Sequence, residues 1–146
     1  MENNALITMS GRQEVDGELD RYELTTLGSY VRKGDKYYVS YIGSEITGYE
    51  DTRTTLKIKE DYVSMIRFGD SPTQMVFEKG NCSTGYYETP FGSLSVGVTT
   101  NSMSVDMNDD GGEVKLDYFV QLNGSAPVRN GLHLQIRKVG NTGDSI

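Results

Sequence analysis

The most formal chemical motif in this 146-residue chain is Asp106-Met107-Asn108-Asp109-Asp110-Gly111. Oxygen-bearing side chains at alternate positions before a glycine match the opening of a calcium-binding loop, where three oxygens converge around a tight turn. The twelfth position is Asp117, one methylene shorter than the bidentate Glu that such a loop uses. Both flanks, Ser102–Val105 and Leu116–Phe119, alternate polar and apolar residues as strands do, so the segment reads as an acidic hairpin turn. His133 and Cys82 are the only residues of their types. A zinc site or a nucleophilic triad would need a second ligand or partner near His133, and none stands there. A haem ligand would need His133 to face inward, and its place between Leu132 and Leu134 turns it away from the apolar face. Cys82 follows Gly80-Asn81 at a strand start, where Lys79 is offset by Glu78, so the positive surroundings of a reactive cysteine are missing.

Paired carboxylates for glycoside chemistry must be held a set distance apart in a cleft. Glu45, Glu50, Asp51, Glu78 and Glu88 are candidates, but no spacing among them selects a pair. Gly111-Gly112 belongs to a hairpin rather than to a phosphate loop, because no helix follows it. These readings leave no catalytic residue, no metal ligand and no cofactor to expect. Fourteen basic against twenty-one acidic side chains give a net charge of −7. The basic residues are dispersed, with Arg32-Lys33-Gly34-Asp35-Lys36 and Arg137-Lys138 the densest groups. Neither nucleic acid nor an anionic membrane surface is therefore an expected partner. The N-terminus has no basic start followed by a long apolar run, and no apolar stretch approaches the ~20 residues that cross a bilayer. A cytoplasmic protein with a reduced thiol is expected. Asn81-Cys82-Ser83 and Asn123-Gly124-Ser125 then read as turn chemistry rather than glycosylation sites.

Any functional side chains must be positioned by strands. From Glu113 to Asn123, Val114, Leu116, Tyr118, Val120 and Leu122 alternate with Lys115, Asp117 and Gln121, the period of a half-buried strand. Turn signals separate further strand candidates at Ala5–Glu14, Leu19–Arg32, Lys36–Ile42, Thr54–Lys59, Tyr62–Phe68, Thr73–Lys79 and Ser83–Thr89. Leu94–Thr100 and Met103–Met107 read as two short strands around Asn101-Ser102, and Leu132–Lys138 ends the series. Gly28 inside the second candidate marks a bulge or a sharp bend. Asn108-Asp109-Asp110-Gly111-Gly112 is the strongest hairpin turn. Residues 1–139 form one domain, and 140–146 read as a frayed tail. So many strands in one open sheet would leave two raw edges, whereas hairpin-connected neighbours can close into a barrel. The expectation is an all-β fold, a single antiparallel up-and-down β-barrel of about eight to ten strands, rather than a two-sheet sandwich.

The order of several segments is also distinctive. Lys36-Tyr-Tyr-Val-Ser-Tyr41, Glu45-Ile-Thr-Gly48, Thr54-Thr-Leu-Lys-Ile58, Met75-Val-Phe-Glu78, Thr89-Pro-Phe-Gly92 and Gly111-Gly-Glu-Val-Lys-Leu-Asp-Tyr118 together resemble the YwiB-like family of small uncharacterised bacterial proteins. The resemblance spans most of the chain, from the first strand to Arg137. It implies a calycin-like barrel, the architecture of lipocalins and fatty-acid-binding proteins, and a Gram-positive, cytoplasmic origin. It implies no function. Lipocalins carry a Gly-x-Trp motif and this chain has no Trp, so their transport activity is not carried over.

What remains is a site inside the barrel. Ten tyrosines suit positions with an apolar body and a wet hydroxyl, such as a lumen or its mouth. The candidate ligand-binding residues are Tyr30, Tyr41, Arg67, Tyr86, Phe91 and Tyr118, for a small hydrophobic or amphipathic molecule. Arg67 shares a strand face with Val63 and Met65, while Tyr62, Ser64, Ile66 and Phe68 share the other. If the first set faces inward, Arg67 is a lumen cation beside Tyr41 and Tyr118. The second set, with Ile66 and Phe68, is slightly the more apolar, which would leave Arg67 on the surface. A second hypothesis is a protein–protein module that uses Phe91, in the loop Thr89-Pro90-Phe91-Gly92, as an exposed anchor.

Overall fold

A computed structural model describes residues 3–42, 53–69 and 72–139. Ten strands run in chain order: β1 (Ala5–Val15), β2 (Glu18–Lys33), β3 (Lys36–Ile42), β4 (Arg53–Lys59), β5 (Tyr62–Phe68), β6 (Thr73–Phe77), β7 (Cys82–Thr89), β8 (Gly92–Asn108), β9 (Gly111–Leu122) and β10 (Val128–Lys138). Each pairs antiparallel with its neighbours in sequence, and β1 pairs with β10, so the sheet closes into the expected up-and-down barrel. The closing seam runs from Ala5↔Lys138 to Glu14↔Arg129. The expected tail at 140–146 and the carboxylates Glu45, Glu50 and Asp51 lie outside the described residues. Among the described residues no helix is long and apolar enough to cross a membrane.

Two features of the strands depart from a plain reading of the pattern. The segments Leu94–Thr100 and Met103–Met107 are halves of one strand, β8, whose register against β9 shifts between Thr100 and Ser102. Asn101 is the extra residue of a bulge, which bends a strand without ending it. The long strand β2 changes partners: it follows β1 as far as Gly28 and pairs with β3 from Ser29 onward. A Cβ on Gly28 would lie 2.4 Å from the Ser40 carbonyl oxygen, so the bend expected there needs glycine.

The turns also sort by chemistry. Asp16 and Gly17, at φ 51° and 80°, form the two-residue primed turn that matches strand twist. The hairpin at 108–112 forms as expected, but Asp109-Asp110 makes its turn between the paired Asn108 and Gly111. Positive φ falls one step later, on Gly111 at 135°, where β9 begins.

Inward-facing side chains fill only one half of the barrel. Ile7, Leu56, Ile58, Val63, Phe77, Val98, Val114, Leu134 and Ile136 form a solid core towards the end that holds the β2–β3, β4–β5, β6–β7 and β8–β9 connections. The inward row of β9 shows the transition: Val114, Leu116 and Tyr118 are buried, Val120 is half-buried, and Leu122 is 39% exposed. The β8–β9 hairpin is tied across the solid end. The buried Tyr30 hydroxyl donates to the Asn108 carbonyl, and its ring stacks on Tyr37 with centroids 6.0 Å apart. The Arg32 guanidinium lies 5.6 Å from the centroid of the Tyr37 ring and 2.7 Å from the Asp109 carboxylate.

Candidate functional site

Towards the other end, that of the β1–β2, β5–β6, β7–β8 and β9–β10 connections, the barrel is hollow. A cavity of about 510 Å³ opens there, within the ~300–1,000 Å³ range of ligand sites. Its walls follow from register, since residues opposite one another on paired strands share a face. On one side Tyr41 faces Thr54, Thr54 faces Arg67, Arg67 faces Thr73 and Thr73 faces Tyr87, a row that crosses β3 to β7. The next inward row, Val39, Leu56, Met65 and Met75, is wholly apolar, and its members Met65 and Met75 line the cavity. Met9, Leu24, Val96, Val120 and Leu132 complete the wall, with Gln13, Asp20, Arg21 and Asn130 near the mouth.

Two lumen hydroxyls are held in their neutral form. Burial pushes the Tyr41 hydroxyl pKa up, opposed by the Arg67 charge and a hydrogen bond with Thr54. Burial also raises Tyr118, with Tyr22 adding to the rise and Arg67 opposing it. Both rings are fixed by their neighbours. The Tyr41 hydroxyl donates to Met9 Sδ at 3.3 Å, and Tyr118 packs edge-on to Phe77 at 4.7 Å between centroids. Tyr22 faces Gly11 across β1 and β2. Its ring occupies the space a Cβ on Gly11 would need, with ring carbons only 2.2 Å from that position.

Of the six residues expected to meet a ligand, Tyr41, Arg67 and Tyr118 line the cavity. Tyr30 sits at the solid end, Tyr86 is 40% exposed, and Phe91 is 99% exposed between β7 and β8. The orientation of β5 reverses the slight preference drawn from its composition. Val63 and Met65 are buried and Arg67 lines the lumen, while Phe68 is exposed. Pairing is the physical reason: Val63 and Met65 lie opposite Ile58 and Leu56, the apolar face of β4. Thr54, Thr73, Tyr87 and Tyr22 were not among the candidates. Thr54 could have been found by extending the inward alternation of its own strand from Leu56 and Ile58, whereas Tyr87 follows Ser83 and Gly85 on β7 and is placed only by its pairing with β6 and β8.

The other chemical candidates take outward places. His133 Nε2 lies 2.6 Å from Glu113 Oε2 on the outer wall, and this hydrogen bond holds the Glu113 carboxyl below its usual range. Cys82 is exposed. Within the acidic turn, Asn108 Oδ1 accepts the Asp110 N–H at 2.8 Å and Asp109 pairs with Arg32. Asp117 accepts two hydrogen bonds from Arg129, at 3.1 and 2.8 Å. Among the described residues no three His, Cys, Asp or Glu side chains are grouped to hold a metal ion.

Similarity to known proteins follows the same outline. The chain is 29% identical over 105 residues to "Uncharacterized beta-barrel protein YwiB" of Bacillus subtilis (strain 168), covering 72% of each sequence. The crystal structure of the ywiB protein from Bacillus subtilis matches it with a TM-score of 0.83 at 22% identity, over 94% of this chain and 93% of that one. At that identity the structural likeness concerns the fold. The resemblance carried by the ordered motifs is also met by a family profile described as "Domain of unknown function (DUF1934)", which matches residues 7–134, and the chain belongs to that family.

Proposed function

We propose that the protein binds a small, partly apolar ligand in the barrel lumen, in the bacterial cytoplasm, as calycin-like barrels do, and that binding rather than catalysis is its activity. The observation that carries this reading is the cavity of about 510 Å³, open at one end of an otherwise closed barrel. A solid apolar core at the opposite end supplies stability on its own, which leaves the hollow half free to be shaped for a ligand. Tyr41, Arg67 and Tyr118 are the proposed contacts. An exposed Cys82 with no second cysteine in the chain fits a reducing compartment.

Native mass spectrometry of protein purified from its own host, followed by displacement of a fluorescent apolar probe with fatty acids and haem, tests this. The expected result is a retained small molecule or saturable one-to-one probe binding. Filling the lumen with Val120→Trp should abolish it. A wild-type protein that retains nothing and binds neither probe nor any compound of the panel would overturn the reading. The exposure of Phe91, at 99%, favours a second reading in which this side chain anchors a protein partner. In that case a pull-down recovers the same partner with the wild type and loses it with Phe91→Ala. Recovery of no partner by the wild type counts against it.

A further inference from the structure

The cavity wall is chemically divided, and the division follows strand register. Tyr41, Thr54, Arg67, Thr73 and Tyr87 make one continuous inward row over five adjacent strands. Every member offers a hydrogen-bond donor, and none carries negative charge. Tyr41, Thr54 and Thr73 are 5%, 2% and 6% exposed, and Arg67 and Tyr87 are half-buried, so the belt runs along the lumen wall with its charge within reach of the opening. Donors and a guanidinium fork on one wall of a cavity favour negative charge, because hydrogen bonds to an ionised acceptor are stronger than neutral ones and water competes less there than on the open surface. Burial keeps the Tyr41 and Tyr118 hydroxyls protonated, so neither repels an anion; the Tyr41 O–H turns to one by leaving the weak acceptor Met9 Sδ. The one carboxylate that lines the cavity among the described residues is Asp20, at the mouth. Below the belt Met65 and Met75 line the cavity, and Leu24 and Leu132 line it from β2 and β10.

We propose that this belt is a binding site for the acidic group of an amphiphile, a carboxylate or a phosphate monoester. The acid is received by Arg67 and the flanking hydroxyls, and its apolar part lies along the methionine and leucine wall. The proposal rests on the lumen reading above and adds the class of ligand to it. A neutral alcohol of the same shape gains the apolar contacts and ordinary hydrogen bonds but no charge-assisted one. An alkylammonium meets the like charge of Arg67.

The test is displacement of a fluorescent apolar probe by four compounds of one chain length: decanoate, decyl phosphate, decanol and decylammonium, each below its micelle concentration. Acetate and inorganic phosphate are run beside them to separate headgroup from chain. At least one acid should displace the probe at about tenfold lower concentration than decanol, a charge-assisted contact of ~1.4 kcal/mol. The better of decanoate and decyl phosphate identifies the headgroup. Arg67→Met, which keeps an unbranched side chain in the lumen, should remove that advantage and leave decanol unchanged. Should this variant fail to fold, the pair Thr54→Val and Thr73→Val keeps the charge and weakens the acids more than decanol. Equal displacement by acids and decanol overturns the anion assignment while the lumen reading stands. Displacement by none of the four, with no probe bound, overturns both. Unchanged acid affinity in folded Arg67→Met places the headgroup elsewhere and refutes the belt.

Discussion

Arg67 and the two phenylalanines Phe77 and Phe91 show how little a residue's type says about its role without its partners. Phe77 is wholly buried and packs on Tyr118, whereas Phe91 is 99% exposed. Removing a buried aromatic ring loses both its transfer energy and the packing around the void. Phe77→Ala should therefore cost about 3–5 kcal/mol in urea denaturation, and Phe91→Ala less than about 0.5 kcal/mol. Comparable midpoints for the two would mean that the solid end is not the core. Asp117 makes a second case. Its two hydrogen bonds from Arg129 hold the carboxyl below the usual carboxylate range. The folded chain thus binds this proton less tightly than the unfolded chain, so the pair's contribution is present above that range and lost as pH falls through the folded value. Asp117→Asn should destabilise by under about 1 kcal/mol at neutral pH, with the gap to wild type narrowing below about pH 4. A gap that persists to low pH would assign the effect to something other than this charge. At this scale the sequence is legible only as far as alternation reaches. It separates the two faces of β5 but cannot tell which is inside, because Ile66 and Phe68 weigh as much as Val63 and Met65. The missing information is the pairing of Val63 with Ile58 and of Met65 with Leu56.

Strands and turns were legible almost throughout, because period-two patterning and turn residues are local signals. The exception, β8, is instructive. Asn101-Ser102 has the composition of a turn, yet both halves stay paired to β9, and the polar pair is accommodated as a bulge. Composition reports tolerance for irregular backbone; only the neighbouring strand decides whether that irregularity ends the element. Gly111 tests the same idea at a hairpin. It sits at φ 135°, and a Cβ there would lie 2.1 Å from the Ile136 carbonyl oxygen. Gly34 also has positive φ, 65°, but nothing lies within 4 Å of its Cβ position. Gly34→Ala should cost the ~1–2 kcal/mol of a left-handed alanine. Gly111→Ala should cost at least ~1 kcal/mol more, because the backbone of β10 cannot yield as a side chain would. Equal shifts in the denaturation midpoint would mean that β9 and β10 separate readily at this point.

Across the whole barrel the seams are unequal, and the weakest one adjoins the proposed site. The β1–β10 closure is paired from Ala5 to Glu14, while β6 and β7 share only Thr73↔Tyr87 and Gln74↔Tyr86. Towards the solid end β7 departs from β6, and the intervening residues are stitched to β8 instead: the Gly80 N–H donates to the Thr100 carbonyl, and the Thr100 N–H to the Asn81 carbonyl. Local opening needs less free energy where fewer bonds and packed contacts must break together. Native-state hydrogen exchange should accordingly find the fastest strand amides in β6 and β7 and the slowest in β1 and β10. Thr73 and Tyr87 belong to the donor belt as well as to this seam, so an acid held by the belt spans the place where the barrel opens most readily. Adding whichever of decanoate and decyl phosphate binds better should slow exchange in β6 and β7 more than in β1 and β10. Uniform protection along all ten strands, with or without the acid, would show that two register pairs hold as firmly as the long closure, and would remove the link between seam and site.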